Sequence, residues 1–355
     1  MIGNRLKRAR EAKGFSLREL EAAIQGRVTA QAIGKYERDE SMPSSGVLLS
    51  LASVLDVSPE FLMSERLIEL SGVDFRKGPQ AGVKEERAVE AAVLDQVERY
   101  LELEELLPGA DQAWELPRGK QFKISRIEEA EQAADSLRQL WKLGIDPIPL
   151  MAELLEDKGV KVIALDLPEN ISGSKAFVQR MGCEDVPVIV VNAHHNGERQ
   201  RFTLAHELAH LVLNFVGLNE KDQEKAADRF AGAFLMAKEM MVRLLGPHRT
   251  SVSLGEFVEL KRLFRVSIAS MVVRCSQIGV ISQALYGRIW SHIRALGWNG
   301  PHTTEPQSLA PEVPQRMERI CLRAVAEGAV SEAKAAELLG INIRELDRKL
   351  TPQGA

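Results

Sequence analysis

The chain has 355 residues, enough for two or three domains of ordinary size, each with its own core. Its apolar share of 45 %, charged share of 27 % and aromatic share of 5 % suit a water-soluble, helix-rich globular protein. A net charge of −4 singles out no class of partner. Three cysteines (Cys183, Cys275, Cys321), far apart and never in a C-x-x-C pair, argue against a disulfide framework or a thiolate zinc site and predict a reducing, cytoplasmic setting. No apolar run is long enough to cross a bilayer, and the opening MIGNRLKRAREAKGF lacks the apolar core of a signal peptide, so no membrane partner is expected.

Residues 1–65 read as a bundle of short helices. GNRLKRAREAKGF sets Leu6, Ala9 and Arg10 at helical spacing and stops at Gly14. Ser16 caps LRELEAAI, Thr29 caps TAQAIGKYERD, and VLLSLASVLDVS closes the bundle. Residues 66–145 read as a helical connector, in which KEERAVEAAVLDQVERYLELEELL keeps Val89, Val93, Val97 and Leu101 on one stripe. ISRIEEAEQAADSLRQLWKLG follows after a break rich in proline and glycine.

Residues 146–245 change character. A helix, IPLMAELLEDKG, leads to strands VKVIALDL, KAFVQRM and VPVIVVN, then to two helices, RFTLAHELAHLVLN and EKDQEKAADRFAGAFLMA. VPVIVVN could be an edge onto which an extended peptide adds, but its near-continuous apolar run favours a fully buried central strand. Residues 246–300, a winged-helix-like extension, and 301–355 are helical again and are separated by LGWNGPHTTEPQSLAPEVP. SEAKAAELLGINIREL echoes the helix–turn–helix rhythm of SLRELEAAI. The fold class is therefore α+β and helix-rich, with an all-α N-terminal bundle, a central domain carrying a small sheet, and helical C-terminal extensions.

The chemistry is concentrated in RFTLAHELAHLVLN. His206 and His210 stand at i and i+4, so on a helix both imidazoles project from one face and can share a cation. Glu207 is rotated away from that ion and sits where a carboxylate can take a proton from an activated water. Zinc suits such a donor set and brings the pKa of bound water to about 7. H-E-x-x-H thus reads as a hydrolytic zinc site with Glu207 as general base. A catalytic site needs a third protein ligand, which Glu224 on the next helix can supply. Asp228, on the same face as Glu224, can accept the remaining N–H of one histidine. His194 and His195, between VPVIVVN and the histidine helix, could reach the same cleft, but a loop-exposed pair is the favoured reading.

The pattern H-E-x-x-H followed by E-x-x-x-D resembles that of the gluzincins. The wider string PVIVVNAHHNGERQRFTLAHELAHLVLN…EKAADRFAGAFLMA resembles the ImmA/IrrE family of metallopeptidases. The resemblance implies a zincin-like domain with zinc (or another divalent ion) at His206, His210 and Glu224, Glu207 as base, and a protein substrate cut at a peptide bond. Ala209 replaces the family's usual glycine, and Ala237 its usual proline, which puts the end of the second helix in question.

Residues 2–63 resemble the Cro/repressor-type (XRE) helix–turn–helix, with AIGKYERDESMP at its most specific point. The resemblance implies binding of double-stranded DNA through residues 1–65, with Ala30, Gln31 and Lys35 on the exposed face of a recognition helix. Arg27 and Thr29 are placed for contacts to the DNA backbone, and Arg8 and Arg10 add positive charge. Two features depart from the family: Leu17 stands where a glutamine is common, and the turn IQGRVT is longer. The two readings together predict a transcriptional regulator fused to a zinc endopeptidase that cleaves a repressor or antitoxin, compatible with a homodimer on two-fold DNA. The alternative is a DNA-binding transcription factor or antitoxin whose metal site is structural, sensory or inactive.

Overall fold

The computed structural model describes residues 2–57, 59–63, 68–71, 83–114, 116, 121–180, 184–300 and 304–351. Its N-terminal bundle contains α1 (Gly3–Ala12), α2 (Leu17–Ala23), α3 (Ala30–Glu37), α4 (Ser45–Leu55) and α5 (Pro59–Met63). Ser16 accepts the Glu19 N–H while the Glu19 carboxylate accepts the Ser16 N–H, and Thr29 accepts the Ala32 N–H. These caps start α2 and α3 by satisfying N–H groups that have no partner in the first turn. The turn between them runs through positive φ at Gln25 and Gly26. Leu6, Leu20, Ile33, Leu51 and Leu55 fill the centre of the bundle.

Next come β1 (Ile68–Ser71), α6 (Val83–Leu106), β2 (Phe122–Ile124), α7 (Glu129–Leu140) and α8 (Met151–Asp157). They lead to β3 (Lys161–Leu165), β4 (Gly173–Arg180), β5 (Val186–Asn192), α9 (Gly197–Val212), β6 (Leu213–Phe215) and α10 (Glu220–Leu235). The main sheet has the order β1-β4-β5-β3, with β4 antiparallel to β1 and β5, and β3 parallel to β5. VPVIVVN is the buried central strand that its apolar run favours: β5 is hydrogen-bonded on both sides and every residue in it is buried. β2 pairs in parallel with β6. The connector is not purely helical, because β1 and β2 lie inside it. Both strands are short, and each takes its partner from far along the chain, so only tertiary context makes them strands.

The predicted stripe of α6 is a junction. Val93, Val97 and Leu101 pack against Ile163, Val178, Val188 and Val190 of the sheet. Tyr100, Leu103 and Leu107 instead pack against the C-terminal helices, and Arg5 of α1 forms a buried ion pair with Glu98 (Nη1–Oε2 2.9 Å).

The remaining helices are α11 (Lys238–Leu245), α12 (Leu254–Phe264), α13 (Ile268–Gln277), α14 (Gln283–Ala295), α15 (Arg316–Ala326), α16 (Glu332–Leu339) and α17 (Ile343–Leu350). One apolar cluster runs from Trp114 to Ile293 and includes α7, α9, α10 and α12 to α14. The boundaries expected at 145 and 246 fall inside this core, because changes of composition along the chain do not mark where apolar faces meet. Among the described residues, no helix is long and apolar enough to cross a membrane.

A charged cluster lies buried where α6, α8, β3 and α15 meet. Lys161 pairs with Glu104, while the Glu156 carboxylate accepts the backbone N–H groups of Gln315 and Arg316 at the start of α15. Burial pushes the Glu156 carboxyl up to about 7, against the pull of those N–H groups and of Arg316. A carboxyl raised on folding makes the folded state bind the extra proton, so its stabilising share is complete below the ordinary carboxylate range and is lost as pH rises towards 7. The unfolding free energy of wild type relative to Glu156→Gln is expected to fall by about 3 kcal/mol between pH ~4.5 and pH ~7. Denaturant titrations at a series of pH values measure this, and a difference independent of pH contradicts it.

Candidate metal centre and recognition helix

Asn196 opens α9 by accepting the Arg199 N–H, and Asn219 opens α10 by accepting the Asp222 N–H. The two helices pack side by side, with Ala205, Ala209, Ala226, Ala227, Phe230 and Phe234 all fully buried in the shared core. Ala209 is absorbed without exposure. α10 still ends at Leu235, and Ala237 has φ −53° and ψ 131°, a backbone that proline also adopts.

This packing brings His206, His210 and Glu224 to one point. Their nearest donor atoms all lie within 4.8 Å of one another. His206 Nε2 is 3.1 Å from His210 Nε2 and 3.7 Å from Glu224 Oε2, and His210 Nε2 is 3.4 Å from Glu224 Oε1. A tetrahedral ion with nitrogen and oxygen ligands at about 2.0–2.1 Å sets neighbouring donors about 3.3–3.4 Å apart. The two-nitrogen, one-oxygen donor set fits zinc in both chemistry and size. On the far side of the ring, His206 Nδ1 lies 2.8 Å from Asp228 Oδ1, so the carboxylate accepts that N–H and leaves the Nε2 lone pair directed at the centre. Phe215 packs against His210, with ring centroids 5.6 Å apart.

Glu207 is buried and lines a cleft of ≈ 490 Å³, which His206 and Asp228 also border. Asn170, Ser172 and Gly173 form one wall, Ser267 and Ser270 another, and Trp298 and Glu305 a third. Lys261, fully buried, bridges Glu198 of α9 (2.6 Å) and Glu305 (3.2 Å), which ties that third wall to the histidine helix. Burial raises the Glu305 carboxyl, opposed by the Ile268 N–H and Lys261. Leu309 and Glu312 continue the link: the Leu309 carbonyl accepts the Gly197 N–H, and Glu312 pairs with buried Arg201 at 2.6 Å. A side chain at Gly197 would place its Cβ 2.2 Å from the Ala310 carbonyl oxygen, so the close passage requires glycine. LGWNGPHTTEPQSLAPEVP, which the sequence marks only as a loop between helical segments, supplies Trp298 and Glu305 to the cleft. A tryptophan inside a glycine- and proline-rich loop was the only available signal.

His194 and His195 do not border the cleft. His194 is exposed, with Nε2 3.3 Å from Asp166, and His195 is buried with Nε2 3.2 Å from the Glu169 carbonyl oxygen. The turn after β5 directs both towards the loop that precedes β4.

On α3, Gln31 and Lys35 are exposed, as is Thr29 ahead of it, and Ala30 is half-buried. Arg27 is exposed but donates to Ser50 Oγ at 2.7 Å, and the Thr29 hydroxyl is engaged in the cap. Arg10 adds no free charge to this face, because Glu37 accepts its Nε–H at 2.6 Å and Nη2–H at 3.0 Å, which locks α1 to α3. Arg8 borders the crevice between α1 and α6.

Removing the carboxylate behind His206 tests the centre without touching a donor atom. Asp228→Ala is expected to weaken zinc binding about 10- to 100-fold, measured by competition with a chromophoric chelator. Unchanged affinity would remove Asp228 from the site.

Two family models match the chain. Residues 6–62 match a helix-turn-helix family, and residues 155–276 match the IrrE N-terminal-like domain of the M78 peptidases. The N-terminal region is similar to an SPbeta prophage-derived uncharacterized HTH-type transcriptional regulator, YonR, of Bacillus subtilis (strain 168), 40 % identical over 63 residues. That match covers 18 % of this chain and 56 % of YonR, so the chain spans about half the length of the curated relative it matches. The chain thus joins a domain of the helix-turn-helix family, over residues 6–62, to a domain of the IrrE N-terminal-like family of M78 peptidases, over residues 155–276.

Proposed function

We propose that this protein is a DNA-binding regulator and a zinc-dependent endopeptidase whose substrate is a regulatory protein of the repressor or antitoxin type. The observation that carries the reading is the convergence of two imidazoles and a carboxylate from two helices, with Glu207 lining the adjoining cleft. His206, His210 and Glu224 hold the ion, which when bound supplies Lewis acidity that polarises a carbonyl and acidifies water. Asp228 keeps His206 in the tautomer that can donate its Nε2 lone pair. A Glu207 carboxylate oxygen takes a proton from the attacking water and delivers it to the amide nitrogen of the leaving segment. The walls at Ser172, Ser270 and Trp298 hold an extended peptide and limit water around it.

Glu207→Gln is expected to retain about one zinc per chain while losing cleavage by about 10²- to 10⁴-fold. Comparing the proteins cut in cells carrying wild type or Glu207→Gln both tests the mechanism and identifies the substrate. Equal cleavage by the two removes Glu207 as base. If neither cleaves any cellular protein and zinc is still bound, the site is structural or sensory.

The DNA role rests on the exposed face of α3. Double-stranded DNA is bound through residues 1–65, with Gln31 directed at base edges and Lys35 at phosphate or guanine. Lys35→Ala is expected to weaken binding across all sequences and to lower the slope of log K against log salt by about 0.9. An unaltered slope removes Lys35 from the interface.

A further inference from the structure

The C-terminal helices repeat the architecture of a DNA reader in a place where no function has been given to them. Ser331 accepts the Lys334 N–H and starts α16, and Asn342 accepts the Glu345 N–H and starts α17. The turn between them is residues 340–342, with Gly340 at φ 66°. Two short helices joined by a three-residue turn containing glycine form the helix–turn–helix unit. This turn is shorter than that between α2 and α3. The unit is held rigid from beneath. Ala335, Leu338 and Leu346 are fully buried against Tyr100, Leu103, Leu107 and α15. Arg99 of α6 donates to the Leu338 carbonyl at 3.2 Å, and a Cβ at Gly340 would meet the Arg99 guanidinium at 2.5 Å.

Local rhythm alone is not enough, as α12 and α13 show. They too are joined by a three-residue turn, 265–267, with Arg265 at φ 57° and Ser267 as cap, yet α13 has no exposed residue and so has no face to offer. α17 differs: Ile343, Arg344, Asp347 and Arg348 are all exposed, with Arg344 and Arg348 on the side opposite Leu346 and Ile343 and Asp347 on its flanks. Charge separates that face from the rest of the unit. Residues 316–349 contain seven lysines and arginines. Among the described residues, five of these pair with carboxylates: Arg316 with Glu104, Arg319 with Glu153, Arg323 with Glu327, Lys334 with Glu102, and Lys349 with Glu318. The two that do not are Arg344 and Arg348, one helical turn apart on the outer face of α17; Arg348 makes only a long contact to the Arg344 carbonyl.

We propose that α15 to α17 form a second double-stranded-DNA-binding helix–turn–helix, with α17 as the helix that enters the major groove. Arg344 and Arg348 contact phosphate or guanine, Asp347 offers an acceptor to a cytosine amino group, and Ile343 an apolar contact to a thymine methyl. The chain then carries two DNA contacts, at opposite ends of its sequence, both seated on α6. Tethering two weak readers to one support raises their joint affinity without any new contact.

The test uses the full chain and a mixed-sequence DNA duplex of about 30 base pairs, followed by fluorescence anisotropy between about 50 and 200 mM salt. Arg344→Ala/Arg348→Ala is expected to weaken binding about 10- to 100-fold and to lower the salt slope by about 2, while Arg344→Lys/Arg348→Lys retains most of it. Gln31→Ala/Lys35→Ala should leave residual binding that the additional loss of Arg344 and Arg348 removes. If the double alanine variant leaves affinity and slope unchanged, α17 does not touch DNA, and the same holds if that face captures a protein instead. If only the α17 variants matter, this proposal stands and the reading of α3 fails.

Discussion

The close approach of α9 to α10 is the constraint on which the rest depends. Histidines four residues apart on one helix can present two imidazoles to a point, but the third donor must come from a different piece of backbone. Here it does so because small residues, Ala205, Ala209, Ala226 and Ala227, sit fully buried in the core the two helices share. Such packing is dense and intolerant of added volume. The same proximity places Asp228 behind His206, so one helix supplies both a donor and the group that orients a donor on the other.

The surroundings of α9 are held by charge as well as by apolar packing. Lys261 between Glu198 and Glu305, Arg201 with Glu312, and Arg274 with Glu131 are ion pairs whose cationic members are fully buried. Pairs of this kind add little net stability over an apolar replacement, but losing one partner is costly, because the other is left as an unpaired buried charge. They therefore act as registration pins. Two of the three fasten the segment around Glu305 to Glu312 onto α9, so the chain leaving the central core is fixed to the histidine helix before it reaches α15.

α6 distributes the parts of the molecule. One stripe covers the sheet, a second covers the C-terminal helices, and the buried Arg5–Glu98 pair attaches the N-terminal bundle. A helix that looks merely amphipathic in sequence thus carries three partners, because residues flanking the main apolar stripe, such as Tyr100 and Leu103, are apolar as well.

Much of this was legible in the linear chain, for local reasons. Caps at Ser16 and Thr29, the i, i+4 histidines and the unbroken apolar run of β5 depend on neighbours within a few residues, so the sequence by itself determined these helix starts, the strand core and the identity of the candidate donors. What lay beyond it was every feature that needs distant chain. Whether VPVIVVN was edge or centre depended on β3 and β4 flanking it, and β1 and β2 exist only through partners far away. The walls at Trp298 and Glu305, the loss of Arg10 to Glu37, and the outward turn of His194 were settled by packing, since a side chain's partners are set by whichever surface folds against it. Residue type and spacing determine what chemistry is available; only the tertiary structure decides which of those groups meet.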